Sequence, residues 1–412
     1  MVNITREFAP PFKLIAPYFI IGTLFYLISN FLLFIIDVEQ ITTSQDLYII
    51  SWTHLFLLGF VMMIIFGAMA QLIPVVLEKG HFSVDFYYII YPLLSFGILM
   101  MAYGFIDSQL MLSFGGGMVL ISMFIFSFET FLTLTRVEKF DIVTLSVILS
   151  NIFLTIGVIV GFIMALTFAG FIVSDIASLL KAHVYLIIGG YVLITIMAFS
   201  YVLIPMFGLS HGFSKTPLHV SIAMQSFAVV VVFISSMLQN ELYNKIGYLF
   251  SFLSVVVYFY FIFYIYKTRA RKQNDMYMVS LFIGFIFFAF SLIFGGFYIT
   301  TGYETYALLS GWLLFVGFFG FLISGHLYKI VPFLVWYERF SPLVGKQKVP
   351  MLTDMVPVKS ANFQIFLTAI GIILYSFALF FQNGYLQMAA ALFLSIGALF
   401  LFFNLIFMIR FK

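Results

Sequence analysis

Residues 51–77 read SWTHLFLLGFVMMIIFGAMAQLIPVVL, an apolar run holding one histidine, His54, and one other strongly polar side chain, Gln71. A helix needs about 20 apolar residues to cross the hydrocarbon core of a bilayer. This stretch exceeds that length, so it reads as a membrane span with His54 near one end and Pro74 near the other. The rest of the chain agrees. Of its 412 residues 64% are hydrophobic and 8% charged, and the mean hydropathy is +1.16. A water-soluble domain of this length could not hide so much apolar surface.

Hydropathy predicts twelve spans, at residues 13–37, 47–77, 84–106, 110–135, 142–173, 179–207, 217–238, 243–267, 276–301, 305–335, 361–382 and 385–409. The fold class is therefore all-α, in a single integral membrane domain over residues 1–412 whose partner is the lipid bilayer. With the N-terminus inside, the inner segments carry Arg6, Lys13, Lys79, Arg136, Lys139, Lys215, Lys267, Arg269, Arg271, Lys272, Arg339, Lys346, Lys348, Lys359, Arg410 and Lys412. The outer loops carry only Lys181 and Lys245. By the positive-inside rule both termini are expected in the cytoplasm, most simply at a bacterial or archaeal inner membrane. The one long loop, 336–360, is polar and contains Pro342, Pro350 and Pro357. The segment Met1 to Phe12 lacks the pattern of a cleavable signal peptide. A net charge of +3 gives no reason to expect a nucleic-acid partner. The absence of cysteine excludes disulfides, thiolate metal sites and covalent c-type heme attachment.

Three even-numbered spans end alike: Gln71-Leu-Ile-Pro-Val-Val76, Val202-Leu-Ile-Pro-Met-Phe207 and Lys329-Ile-Val-Pro-Phe-Leu334. Their prolines recur once per four spans, which suggests three four-helix units, 13–135, 142–267 and 276–409, around a pseudo-threefold axis. The alternative is that proline merely punctuates helix ends. The prolines also serve as a depth ruler. If the helices are straight, His54 and His183 lie roughly 30 Å from Pro74 and Pro205, at a common outer level. His326 lies roughly 9 Å from Pro332, toward the inner end.

Twelve helices in three fours, with histidines at the outer ends of spans two and six, resemble subunit I of the heme-copper oxidases, nearest to the C-type oxidases and nitric oxide reductases. The segment His54-x4-Gly59-Phe60-Val61-x5-Gly67-x6-Pro74 also resembles NnrS proteins. The resemblance implies a heme b whose axial ligand is His54, and a copper ligand near His183. It also implies small membrane or cytochrome partner subunits and a role in respiration, electron transfer or nitric oxide handling. The departures from the family pattern are specific. The places for its span-ten histidines fall at Ser310 and Trp312, and span seven holds only His219 instead of a histidine pair. A complete binuclear centre and terminal oxidase activity are therefore not expected. The NnrS likeness lacks a His-Glu-Met near an early span, and no His-Glu-x-x-His suggests a zinc protease.

Each candidate residue has two readings. His54 is a heme or metal ligand backed by an apolar face of Val61, Ile65, Ala68 and Leu72, or a histidine hydrogen-bonded between helices. His183 is a cofactor or metal ligand, or an interfacial histidine beside Lys181. Gly190 shares its face and Gly189 adjoins it, so a flat ring or another helix could come close, and Tyr185 stands at His54's ruler position. Glu129, His326, Lys329 and Gln71 form a candidate proton or ion path, or a structural polar cluster. His81, His211 and His219 fall in or beside inner loops and are expected to be solvated. The methionines are scattered and read as packing before copper ligands. A transporter or channel without heme is the competing function.

Overall fold

The computed structural model describes Phe8 and residues 10–138 and 140–412. Arg6 and Lys139, two cations of the orientation argument, and most of the segment Met1 to Phe12 lie outside the described residues. Twelve helices are long and apolar enough to cross a membrane. They are α1 (Phe12–Leu32), α2 (Leu47–Val76), α3 (Asp85–Ile106), α4 (Gln109–Leu134), α5 (Ile142–Phe168), α6 (Ile176–Gly208), α7 (Thr216–Met237), α8 (Glu241–Thr268), α9 (Met276–Thr301), α10 (Glu304–Arg339), α11 (Val358–Phe381) and α12 (Gly384–Arg410). The described residues contain no strand, only an isolated bridge between Ser210 and Arg269. The chain is an all-α integral membrane protein, with large apolar side chains such as Phe96, Phe114 and Phe282 turned outward as lipid-facing surface.

Local chemistry sets most helix starts. Asp46, Ser108, Asp141, Asp175, Asn240, Asp275 and Asn383 each accept hydrogen bonds from backbone N–H groups of the first turn that follows. A short polar side chain before an apolar run satisfies donors that the helix itself leaves open. Helix ends depart further from the hydropathy reading. The first span stops at Leu32, although apolar residues continue to Ile36 as turns. The fifth stops at Phe168, where Gly170 takes a left-handed conformation, φ +76°. The tenth runs on to Arg339, which shortens the long loop at its start.

Three of these helices share an internal build. Each changes hand-count midway, from α to π winding and back: Leu57–Met62 in α2, Tyr185–Val192 in α6 and Leu313–Phe319 in α10. Each carries its repeat proline farther along: in the last turn of α2 and of α6, and in α10 farther inside, since that helix continues past Pro332 for seven residues, Phe333 to Arg339. A π turn closes i→i+5 hydrogen bonds and so uses more residues per turn. The straight-helix ruler therefore overstates the depth of His54 and His183, while the short interval from His326 to Pro332 contains no π turn. Spacing of 3.6 residues also fails to hold a face across such a turn. In α2, Val61 is buried, whereas Ile65, Ala68 and Leu72 are half-buried like His54.

Packing groups the chain into two compact units, residues 70–273 and residues 10–69 with 274–412. In the first, α3 and α4 meet backbone to backbone. A Cβ on Gly104 would fall on the backbone of Leu112, and one on Gly115 on the backbone of Met101. Small residues at a helix crossing are how membrane helices gain close van der Waals contact. In the second unit α11 pairs with α12, α12 with α1, and α9 with α10. A buried polar chain there links α12, α10 and α11: Asn404 donates to the Tyr328 hydroxyl at 3.0 Å, Tyr328 to Gln364 at 3.3 Å, and Gln364 to Thr368 at 3.0 Å. Amides at two of its links suit it to holding helices together, each donor meeting an acceptor where water is absent.

Candidate functional site

His54 lies on the last α turn before the π stretch of α2. Its Nδ1 is 2.8 Å from the Ile50 carbonyl, one turn back. A carbonyl can only accept, so Nδ1 carries a proton; in a neutral ring Nε2 would then be the lone-pair atom. Ligand histidines are oriented in this way, by an N–H donated to a carbonyl or carboxylate. Two residues earlier, Trp52 is buried; its indole N–H donates to the Ser29 carbonyl at 2.9 Å and its ring stacks on Phe56 at 5.3 Å.

The family's span-ten positions are filled by other chemistry. Trp312 is 4% exposed, donates its indole N–H to the Ile372 carbonyl at 3.1 Å, and stacks on Tyr375 with ring centroids 4.2 Å apart. Its other neighbour is Trp52, at 5.7 Å. Ser310 and Ser291 exchange hydroxyl-to-carbonyl bonds of 2.9 and 2.8 Å, which ties α10 to α9. An aromatic stack and a serine pair thus stand where two imidazoles are expected.

In the other unit, His183 docks on α5. Its Nδ1 is 2.9 Å from the Gly157 carbonyl, and a Cβ on Gly161 would come within 2.6 Å of its Cε1. Gly161 makes the shallow seat for the ring, and one turn away Gly157 makes room for Ile187 and Leu186. Gly190 faces the same helix, where the Phe153 side chain lies 2.7 Å from its would-be Cβ. The Gly189 carbonyl accepts from Gln225 of α7 at 3.1 Å. Tyr185 turns to α8, stacking on Tyr248 at 5.2 Å. The room beside Gly189 and Gly190 is taken by neighbouring helices, so His183, Gly190 and Tyr185 do not converge on one point.

Sequence reasoning missed the most polar site of this unit. His81 is not solvated; its side chain is 1% exposed and lies 3.0 Å from the carboxylate of Glu129, which is fully buried. Glu129 Oε1 also accepts from the Thr133 hydroxyl at 2.7 Å and the Phe82 N–H at 3.0 Å, and its Oε2 accepts from the Tyr87 hydroxyl at 3.5 Å. The far nitrogen of His81, Nε2, donates to the Ala70 carbonyl at 2.7 Å. One signal in the sequence pointed here. Pro74 has no N–H, so the carbonyl four residues earlier, Ala70, needs a donor from elsewhere.

Glu129, His326 and Lys329, expected on one proton or ion path, each have partners within their own unit. Within its own unit Lys329 pairs with Asp275 at 2.6 Å, and His326 meets the Tyr277 hydroxyl at 3.3 Å through Nε2 and the Leu322 carbonyl at 2.7 Å through Nδ1. Both partners sit at the start of α9, one of them its cap. Gln71 is buried at the end of α2. His211, in the turn after α6, and His219, on the first turn of α7, are exposed. Among the described residues, no three of His, Cys, Asp and Glu gather closely enough to hold a metal ion.

Comparison with known proteins separates fold from sequence. No protein-family model matches the chain, and no curated protein matches it. Among solved structures, a heme-copper terminal oxidase, solved as a dimer, matches with a TM-score of 0.70 over 97% of this chain and 84% of that one, at 14% identity. The chain has a heme-copper oxidase fold. At that identity the likeness is one of fold.

Proposed function

We propose that this chain is a divergent heme-copper oxidase-like membrane protein that binds one heme b through His54. It would act in respiration, electron transfer or nitric oxide handling without a complete binuclear centre. The observation that carries this reading is the placement of His54. Its ring is oriented by an N–H donated to Ile50 and stands just before a π turn in the helix where the oxidase resemblance puts an axial ligand. Such turns are frequent at functional sites. The residues present fit a heme held by one histidine and do not fit one held by two, because Trp312 is committed to Tyr375 and Ile372. Bound heme supplies a one-electron couple and an iron able to take a small ligand. His54 would hold and orient it, while Trp52, fixed on Ser29, and the apolar residues of α2 would keep water from the ring. His183 is the copper candidate, although among the described residues no three of His, Cys, Asp and Glu gather around a metal site.

The repeat of three four-helix units, the inner-membrane location, the cytoplasmic termini and the cytochrome or small-subunit partners belong to the same proposal. The test is optical. Protein purified in mild detergent from heme-sufficient cells is expected to show a Soret band and about one b heme per chain. His54→Ala should abolish that band while the protein stays monodisperse, and His211→Ala should leave it intact. A colourless parent protein overturns the reading and leaves the transporter alternative, which rests on the buried Glu129 and His81.

A further inference from the structure

Pro74, His81 and Glu129 together form a device that the heme reading does not use. The Ala70 carbonyl loses its helical donor to Pro74, and the His81 Nε2–H takes that place at 2.7 Å. The opposite nitrogen, Nδ1, faces both oxygens of Glu129 at 3.0 and 3.2 Å. One ring therefore bridges a carbonyl and a carboxyl group, both of which call for a donor. Two arrangements satisfy it: an imidazolium against a carboxylate, or a neutral ring against a protonated acid that donates to Nδ1. Each contains the same single proton between the two side chains, so the proton belongs to the pair. Each is also neutral overall, as burial at 1% and 0% side-chain exposure demands.

We propose that His81 and Glu129 share one proton, and that this proton latches the turn between α2 and α3 onto α4. The latch closes the end of α2 that Pro74 leaves open. The turn has further ties to α4 that act with it. The Phe82 N–H reaches Glu129 and Thr133, Arg136 lies over the Phe82 ring at 4.4 Å, and Lys79 pairs with Glu138 at 2.6 Å. That last pair holds the Glu138 carboxyl below its ordinary range. The Tyr87 hydroxyl from α3 also faces the dyad, and Asp85, the acidic residue of the first turn of α3, is bonded to Ser83. Removing the shared proton sets a carboxylate against a ring lone pair. Adding a second leaves an unpaired imidazolium in a dry site. Either change opens the latch.

The chain has no cysteine, so Ser83→Cys offers a unique site for a nitroxide label in the turn. In the intact protein at neutral pH the label is expected to be immobilised, with reversible gains in mobility toward both acid and alkaline pH. Glu129→Leu and His81→Phe should mobilise it at all pH values, its rotational correlation time falling several-fold on the nanosecond scale of loop motion. Glu129→Gln is the discriminating variant. Its amide N–H can donate to a neutral His81 and cannot be lost in alkali, so the label should stay immobile at neutral pH, lose its alkaline response and keep its acid response. Mobility that ignores pH in the parent protein overturns the proposal without relying on any variant's folding. Equal mobilisation by Gln and Leu would show that the carboxylate's charge, and no shared proton, holds the turn. The label reports on the turn whether or not heme binds at His54.

Discussion

Replacing Glu129 with alanine is expected to lower the unfolding free energy by about 3–5 kcal/mol, the usual cost of removing one member of a buried ion pair. The loss goes beyond one contact. His81, the Thr133 hydroxyl, the Phe82 N–H and the Tyr87 hydroxyl all direct hydrogen-bonding groups at that carboxylate, and the fully buried Thr133 and Tyr87 could not turn to water instead. The double replacement His81→Leu with Glu129→Leu should recover a large part of the loss, since it removes the charge together with its partner. Equilibrium unfolding in mixed micelles measures all the variants needed for the cycle. Strictly additive effects of the two single replacements would refute the coupling.

The second large effect is expected at Gly115. Leucine there would drive its Cβ into the Met101 backbone and toward the Gly97 carbonyl, so α3 and α4 would have to part along their length. Overpacking against side chains typically costs about 1–3 kcal/mol, because side chains can rotate away. Backbone cannot, and this crossing is the most extensive helix contact of its unit. Gly115→Leu is therefore expected to abolish recovery of monodisperse protein. Gly296→Leu, with nothing within 4 Å of its Cβ, should behave like the parent in the same size-exclusion assay. Equal recovery of the two would contradict the close crossing.

The twelve spans were legible because hydropathy reports the one thing a bilayer demands. Their stops were less so, since apolar residues carry on through the turns after Leu32 and up to Gly170, where backbone conformation decides. The π turns left no trace in composition, because Leu57–Met62 looks like any other apolar helix. His81 was misjudged for a related reason. Beside Lys79 and Gly80 it reads as loop, and its partner is 48 residues away, a distance that no local pattern covers. Pro74 announced that Ala70 lacked a donor but could not say which side chain would supply it. His183 was noticed, yet it depends on the Gly157 carbonyl and the open face of Gly161, which acquire meaning only when α5 lies against α6.

The π turns also make α2 sensitive to phase. A helix turns about 100° per residue, so deleting one residue from a π stretch restores uninterrupted α winding and swivels everything on one side of the cut by that angle. Within Leu57–Met62 such a deletion would leave every apolar residue type in place, and the hydropathy of the span would hardly change. Yet His54 would be turned about a quarter of a revolution away from its present bearing relative to Gly67, which seats α2 against Tyr18 and Phe19. The aim of that imidazole is thus stored in a count of residues, and an insertion or deletion of length one is the smallest genetic change that could reset it.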